Sequence, residues 1–264
     1  MIHNKFTDIL QTCKRSKIAY HDSSFIKRVY KGSIFYDGCH KQKNDAQGFL
    51  QFDKNKIYVT YRGTMNFMDT KDVIDIRHEK FISPNIKVHK GFHSQFFSIE
   101  EDITRDIKDI VTSYKVDEII FGGHSLAGSI ALISSPYYGH LFNKKYKIST
   151  YTFGSVSVGN KEFINWFLKY VDSHYRIEHK DDIVPMIPIH KTFQHVPNGI
   201  TICNNGSVKY HCDTSSMSYT KLLSKLLVNK PTWEQLFNDH SCDTYHKTLM
   251  VSHKLHNDFW NMID

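Results

Sequence analysis

The stretch DEIIFGGHSLAGSIALIS, residues 117–134, decides the fold. Ile119, Ile120 and Phe121 form a short apolar run, two glycines follow, and Leu126 to Ser134 is an unbroken series of aliphatic and small residues. A run this short that ends on glycine reads as a buried strand, and the longer continuation as a buried helix. Working outward, STYTFGS (149–155) and HYRIEH (174–179) are a second and a third buried strand. Residues 94–114 carry Phe97, Ile99, Ile103, Ile107, Ile110 and Val111 along one helical stripe. Residues 46–62, AQGFLQFDKNKIYVTYR, read as two short strands about the turn Asp53–Lys54–Asn55. Residues 2–20 place Ile2, Phe6, Ile9, Leu10 and Cys13 at helical spacing, and from Thr192 onward the pattern suggests hairpins and a C-terminal helix. Strands alternating with helices imply an α/β protein with a mainly parallel central sheet and helices on both faces. With no internal repeat, low-complexity tract or linker composition, one domain over residues 1–264 is the economical expectation.

Composition bounds the function classes. A chain of 264 residues, 40% hydrophobic and 14% aromatic, can bury a sizeable core. Its net charge of +7 favours approach to anionic surfaces. The basic residues are nevertheless scattered (Lys14–Arg15, Lys27–Arg28, Lys144–Lys145), and no basic block is interleaved with stacking aromatics, so no nucleic-acid partner is expected. The five cysteines, Cys13, Cys39, Cys203, Cys212 and Cys242, are odd in number and contain no CxxC, which fits neither a disulfide framework nor a zinc site. Cys203 and Cys212 could face each other across a turn at Asn204–Asn205–Gly206, but two buried thiols are the simpler expectation. The N-terminal residues lack the continuous apolar core of a signal peptide and no stretch reaches membrane-span length, so a cytoplasmic location is expected, with peripheral membrane contact as an option.

Ser125, in GGHSLAG (122–128), stands between the strand and the helix. Nucleophilic catalysis needs that placement: a tight strand-to-helix turn lifts the hydroxyl above the sheet, and the helix start offers unpaired N–H groups to a developing oxyanion. A serine among glycines can also do no more than cap a helix. The flanking strand and helix favour the nucleophile. Ala127 stands where glycine is usual in such a turn; one extra methyl costs little room and favours helix.

Across roughly residues 46–250 the chain resembles the class 3 lipase family, the fungal triacylglycerol lipases and their plant phospholipase A1 relatives. The likeness runs through VTYRGT (59–64), VHKGF (88–92), GGHSLAG (122–128), YTFGSVSVGN (151–160), RIEHKDDIVPMIP (176–188) and HSCDTY (240–245), in order and at matching spacing. It implies an α/β-hydrolase fold whose triad runs serine, acid, histidine along the chain. The acid falls on Asp182, six residues after Arg176 and directly before Ile183–Val184–Pro185, as in the family. Its neighbour Asp181 would leave the strand on the opposite side, toward solvent. Among 17 histidines, His240 lies late in the chain with Tyr245 at the family spacing. His246 and His253 sit on the following helical stretch and are expected to be exposed, and His195 matches a non-catalytic family histidine. Thr64 and the backbone N–H of Leu126 are the implied oxyanion donors. Val156 and Ser157 stand where the family commonly has proline and arginine, a departure touching packing beside the acid loop.

The family carries a helical lid after the first oxyanion residue. Here residues 65–81, MNFMDTKDVIDIRHEKF, alternate apolar and acidic positions. That pattern fits a lid that buries its apolar face or presents it to lipid, and equally an ordinary helix packed on the core. The reading as a whole is a serine carboxylic-ester hydrolase on lipid esters that needs no metal or organic cofactor. Its expected partners are a lipid ester substrate and a membrane or lipid-droplet surface. A catalytically inactive lipase-like scaffold would have lost a triad position, whereas all three can be filled here. An esterase or thioesterase on soluble acyl substrates would show no gain of activity at a lipid–water interface.

Overall fold

The computed structural model describes residues 5–38, 46–63, 77–186, 192–211, 232, 235 and 238–263. In chain order the elements are α1 (Lys5–Ile18), α2 (Ser23–Val29), β1 (Ile34–Asp37), β2 (Gln47–Asp53), β3 (Lys56–Tyr61), β4 (His78–Phe81) and β5 (Ser83–His89). There follow α3 (Lys90–Ser113), β6 (Glu118–His124), α4 (Leu126–Leu141), β7 (Lys147–Phe153), α5 (Lys161–Tyr170) and β8 (Ser173–His179). After a 3₁₀ turn at Val184–Met186 come β9 (Gly199–Ile202), β10 (Val208–His211), α6 (Cys242–Leu255) and α7 (Asn257–Met262).

Among the described residues, eight strands form one sheet in the order β1-β2-β3-β6-β7-β8-β9-β10. The pairs from β3 through β9 are parallel, and the antiparallel pairs lie at the two margins. Strands β3 and β6 are buried along their whole length, which is why they read as continuous rather than alternating apolar runs. From β3 to β8 the parallel strands advance across the sheet in one direction. Right-handed crossovers then place every connecting helix on the same face. Helices α3, α4 and α5 accordingly share one apolar cluster with Ile57, Val59, Ile119 and Phe121 of the sheet. The other face, carrying Tyr58, Ile120 and Ile177, is left to the helices at the two ends of the chain: α1, α6 and α7. The alternation Ile119, Ile120, Phe121 thus divides one strand between two cores.

Three expectations change in detail. In α3 the residues turned into the core are Phe92, Phe96, Ile99, Ile103 and Ile107, while Phe97 is 37% exposed. Ile99, Ile103 and Ile107 are buried as expected, and the difference is confined to the adjacent phenylalanines, of which Phe96 rather than Phe97 continues the 92-96-99-103-107 stripe. Second, the expected 65–81 lid lies outside the described residues up to 76, and its end is strand rather than helix. His78–Phe81 pairs antiparallel with β5. Ile82 makes the link with a positive φ of 59°, and Phe81 is buried edge-on against Trp166. Third, of the two thiols at 203 and 212, Cys203 is half-buried and Cys212 lies outside the described residues.

Candidate active site

Ser125 follows the last residue of β6 and has φ 62° and ψ −133°. A non-glycine residue held there stores on the order of 1–3 kcal/mol and persists only when its surroundings fix it. The surroundings are visible. Its N–H donates to the Phe153 carbonyl of β7 at 2.8 Å, and its carbonyl accepts from Gly128 N–H at 3.0 Å. The turn closes because Gly123 has no side chain: a Cβ there would lie 2.4 Å from the Ala127 carbonyl carbon. The methyl of Ala127 itself is accommodated in the fully packed core under α4. Leu126 opens α4, so its N–H is one of those a helix start leaves without an intrahelical acceptor, at the positive end of the helix dipole.

The structure brings Ser125, His240 and Asp182 together. His240 Nδ1 is 2.7 Å from Asp182 Oδ2, and His240 Nε2 is 2.7 Å from Ser125 Oγ. A carboxylate can only accept, so Nδ1 carries the imidazole proton. The lone pair of the neutral ring is then on Nε2, and the serine hydroxyl donates to it. All three residues are buried. Asp182 leaves β8 through the turn in which its N–H bonds the His179 carbonyl. Its other oxygen, Oδ1, accepts from Val184 N–H at 2.8 Å. Asp181, by contrast, is half-buried.

Two residues at this site had no assigned role in the sequence. Tyr245, one turn into α6, donates its hydroxyl to Asp182 Oδ2 at 2.7 Å and accepts from His179 N–H at 3.0 Å. Burial, reinforced by the Asp182 carboxylate, pushes its hydroxyl well above the ordinary tyrosine range, so it stays a donor. Gly154 directly follows β7 with φ +61°, and a Cβ there would stand 2.8 Å from Asp182 Oδ2 and 3.1 Å from His240 Cε1. Its signal in the sequence was only a glycine at the end of a buried strand. His195 lies on the far side of the acid loop, where Nε2 donates to the Pro185 carbonyl at 2.6 Å. Arg176 donates through Nε to the Val196 carbonyl at 2.7 Å and pairs with Glu178, bracing the same loop. His246 and His253 are half-buried rather than exposed: His253 stacks on Phe6 with ring centroids 3.9 Å apart. Val156 and Ser157 are fully buried, and Val156 offers its carbonyl to Ser129.

Thr64 lies outside the described residues. Its predecessor Gly63 is described, and a Cβ on it would be 2.9 Å from the His124 carbonyl, one residue before Ser125.

Residues 58–192 match the family described as Lipase (class 3). A lipase of Rhizopus niveus is 27% identical over 202 residues, covering 69% of this chain and 50% of that protein. A secreted mono- and diacylglycerol lipase 1 of Fusarium solani is 32% identical over 102 residues, 37% of this chain and 30% of that one. The chain thus spans about half the length, or less, of these curated relatives. Among solved structures, the lipase of Rhizopus microsporus var. chinensis superposes with a TM-score of 0.68 at 21% identity, covering 83% of each chain. That likeness shows the fold, the α/β-hydrolase arrangement that the family resemblance implied. The cytoplasmic expectation does not stand: the Fusarium relative is by name a secreted protein, which points to an extracellular setting. Among the described residues no helix is long and apolar enough to cross a membrane.

Proposed function

We propose, since this chain belongs to the class 3 lipase family, that it is a serine carboxylic-ester hydrolase acting on lipid esters, of the triacylglycerol lipase or phospholipase A1 type. The observation that carries the reading is the unbroken hydrogen-bonded relay from Ser125 through His240 to Asp182. In the first half-reaction His240 Nε2 takes the proton of Ser125 as Oγ attacks the ester carbonyl carbon. The tetrahedral oxyanion is received by the N–H of Leu126 and by Thr64, and His240 then returns the proton to the departing alcohol. In the second, His240 takes a proton from water, which attacks the acyl-serine and releases the acid. Asp182 holds the imidazole tautomer and offsets its positive charge, and Tyr245 and Val184 hold Asp182.

The close approach of Gly63 to the elbow supports Thr64 as a donor, since the chain enters that residue beside Ser125. Residues 1–264 act as one α/β-hydrolase domain, with the lid function assigned to the stretch after Thr64. An inactive scaffold is disfavoured by a relay with no member missing.

The test is covalent labelling with a fluorophosphonate, run beside hydrolysis of emulsified acylglycerols, phospholipid and a soluble short-chain ester. Wild type should label, and Ser125→Ala should not. Asp182→Asn and His240→Ala should lower kcat on the order of 10⁴-fold or more, while Asp181→Asn should stay near wild type. Labelling that survives Ser125→Ala sinks the reading. Activity confined to the soluble ester, with none on emulsions or phospholipid, moves the protein to the soluble-acyl esterases.

A further inference from the structure

His124, the last residue of β6, is buried with its ring against that of His240, centroids 4.5 Å apart. Both of its nitrogens are engaged. Nε2 meets the main-chain carbonyl of His240, and Nδ1 lies 2.8 Å from the hydroxyl of Tyr20, just beyond α1. A carbonyl only accepts, so Nε2 carries the proton. Burial, with His240 alongside, pushes His124 well below the ordinary histidine range. The neutral ring therefore presents a lone pair at Nδ1, and the Tyr20 hydroxyl donates to it. That hydroxyl also lies on Gly63, where a Cβ would come within 2.2 Å of the oxygen. One chain of contacts consequently runs from Gly63, next to Thr64, through Tyr20 and His124 to the backbone of His240.

The ring of His240 is held by Ser125 and Asp182, but a ring is only as well placed as the main chain that carries it. His240 lies in the short turn before α6, where the Ser241 N–H bonds back to the Asn238 carbonyl. A misplacement of about 1 Å in a reacting group can cost on the order of 10²-fold in rate. Resting on the reading of Ser125, Asp182 and His240 as the reacting groups, we propose that His124, oriented by Tyr20, is a positioning residue. It fixes the backbone of the base to the serine turn and ties both to the strand that leads into Thr64. Its neutrality is part of the design, because His240 becomes cationic during the reaction and a second cation beside it, 4.5 Å away between ring centroids, would oppose that step.

The experiment has a spectroscopic and a kinetic arm. In ¹⁵N-histidine-labelled protein at pH 7, the long-range ¹H–¹⁵N pattern lost in His124→Gln identifies His124, and it should be that of the Nε2–H tautomer. An Nδ1–H or doubly protonated pattern overturns the proposal. On a soluble p-nitrophenyl ester, His124→Leu should lower kcat at least tenfold with KM within about twofold. His124→Gln, which can still donate to the carbonyl, should recover most of the loss. Tyr20→Phe, which removes one oxygen atom, should lower kcat about threefold or more with KM within about twofold, measured where the variant is still fully folded. Tyr20→Phe also decides the matter if His124→Leu does not fold. Wild-type kcat in Tyr20→Phe and in any folded His124→Leu protein overturns the positioning role. If in that case Ser125→Ala is inactive, the hydrolase reading survives; if Ser125→Ala retains activity, that reading has failed by itself.

Discussion

At the scale of single residues, Asp182 shows how much of a site lies in the groups behind it. Its carboxylate accepts from His240, Tyr245 and the Val184 N–H, so both oxygens are committed before any substrate arrives. Removing the Tyr245 hydroxyl strips one bond from a buried carboxylate and leaves the His179 N–H without its acceptor, each worth about 1–3 kcal/mol. Tyr245→Phe should therefore lower kcat on the order of tenfold with little change in KM, and lower the melting temperature as well. Unaltered kcat would mean that the tyrosine supports the fold and not the base. What could be read from sequence at this scale follows from the kind of signal each residue leaves. Ser125 announces itself through its strand, glycines and helix, a local pattern of a few residues. Asp182 and His240 need the family's order to be picked out, because no local rule ranks one of 17 histidines above another. Gly154, Tyr20 and His124 act through contacts made across the fold, and spacing along the chain holds no trace of such contacts.

At the scale of elements, the end of the sheet opposite Ser125 is fastened by charge. Lys56, which opens β3, bridges Asp8 of α1 at 2.9 Å and Glu118 of β6 at 2.7 Å, and Glu118 also meets Lys147 of β7 at 2.9 Å. Lys56, Asp8 and Glu118 are almost fully buried. Lys56→Met would leave two buried carboxylates short of a partner, which costs about 3–5 kcal/mol and should appear as a large drop in urea midpoint at pH 7. The pH dependence has a definite sign. Burial raises the Glu118 carboxyl, but the hydrogen bonds from Lys56, Ser149 and Lys147 outweigh it and hold the group below its ordinary value of 4.5. Stability from that shift is fully present above the ordinary value and is lost as pH falls through the depressed one. The gap between wild type and Lys56→Met should narrow below about pH 4.5, and a gap that stays constant down to pH 3 would rule the linkage out. The strands and helices of this frame were legible because their apolar periods are long and clear. The β4–β5 hairpin was not: its first strand, His78–Phe81, is short and polar, and in sequence it continues an amphipathic pattern that only pairing with β5 interrupts.

At the scale of the whole molecule, the sheet separates two apolar layers, one under α3, α4 and α5 and one under α1, α6 and α7. Trp166 packs on the first and Trp260 is buried in the second. In a background lacking Trp233, the third tryptophan, denaturation followed through Trp166 alone and through Trp260 alone should give coincident curves if residues 1–264 unfold as one domain. Separated midpoints would divide the chain in two. The second layer also brings the ends of the chain together: Lys5 donates to the Ile263 carbonyl at 2.6 Å, and Lys17 pairs with Asp243. That closure has a consequence for biosynthesis. Ser125 and His240 are 115 positions apart, roughly 6–23 s of translation at ordinary speeds. Throughout that interval Ser125 exists without the imidazole it bonds in the finished fold, and the sheet face covered by α6 and α7 waits bare. If Ser125, Asp182 and His240 are the reacting groups proposed above, the nascent chain has no esterase activity during that interval, and its second apolar layer is exposed to chaperones until α6 and α7 have been made.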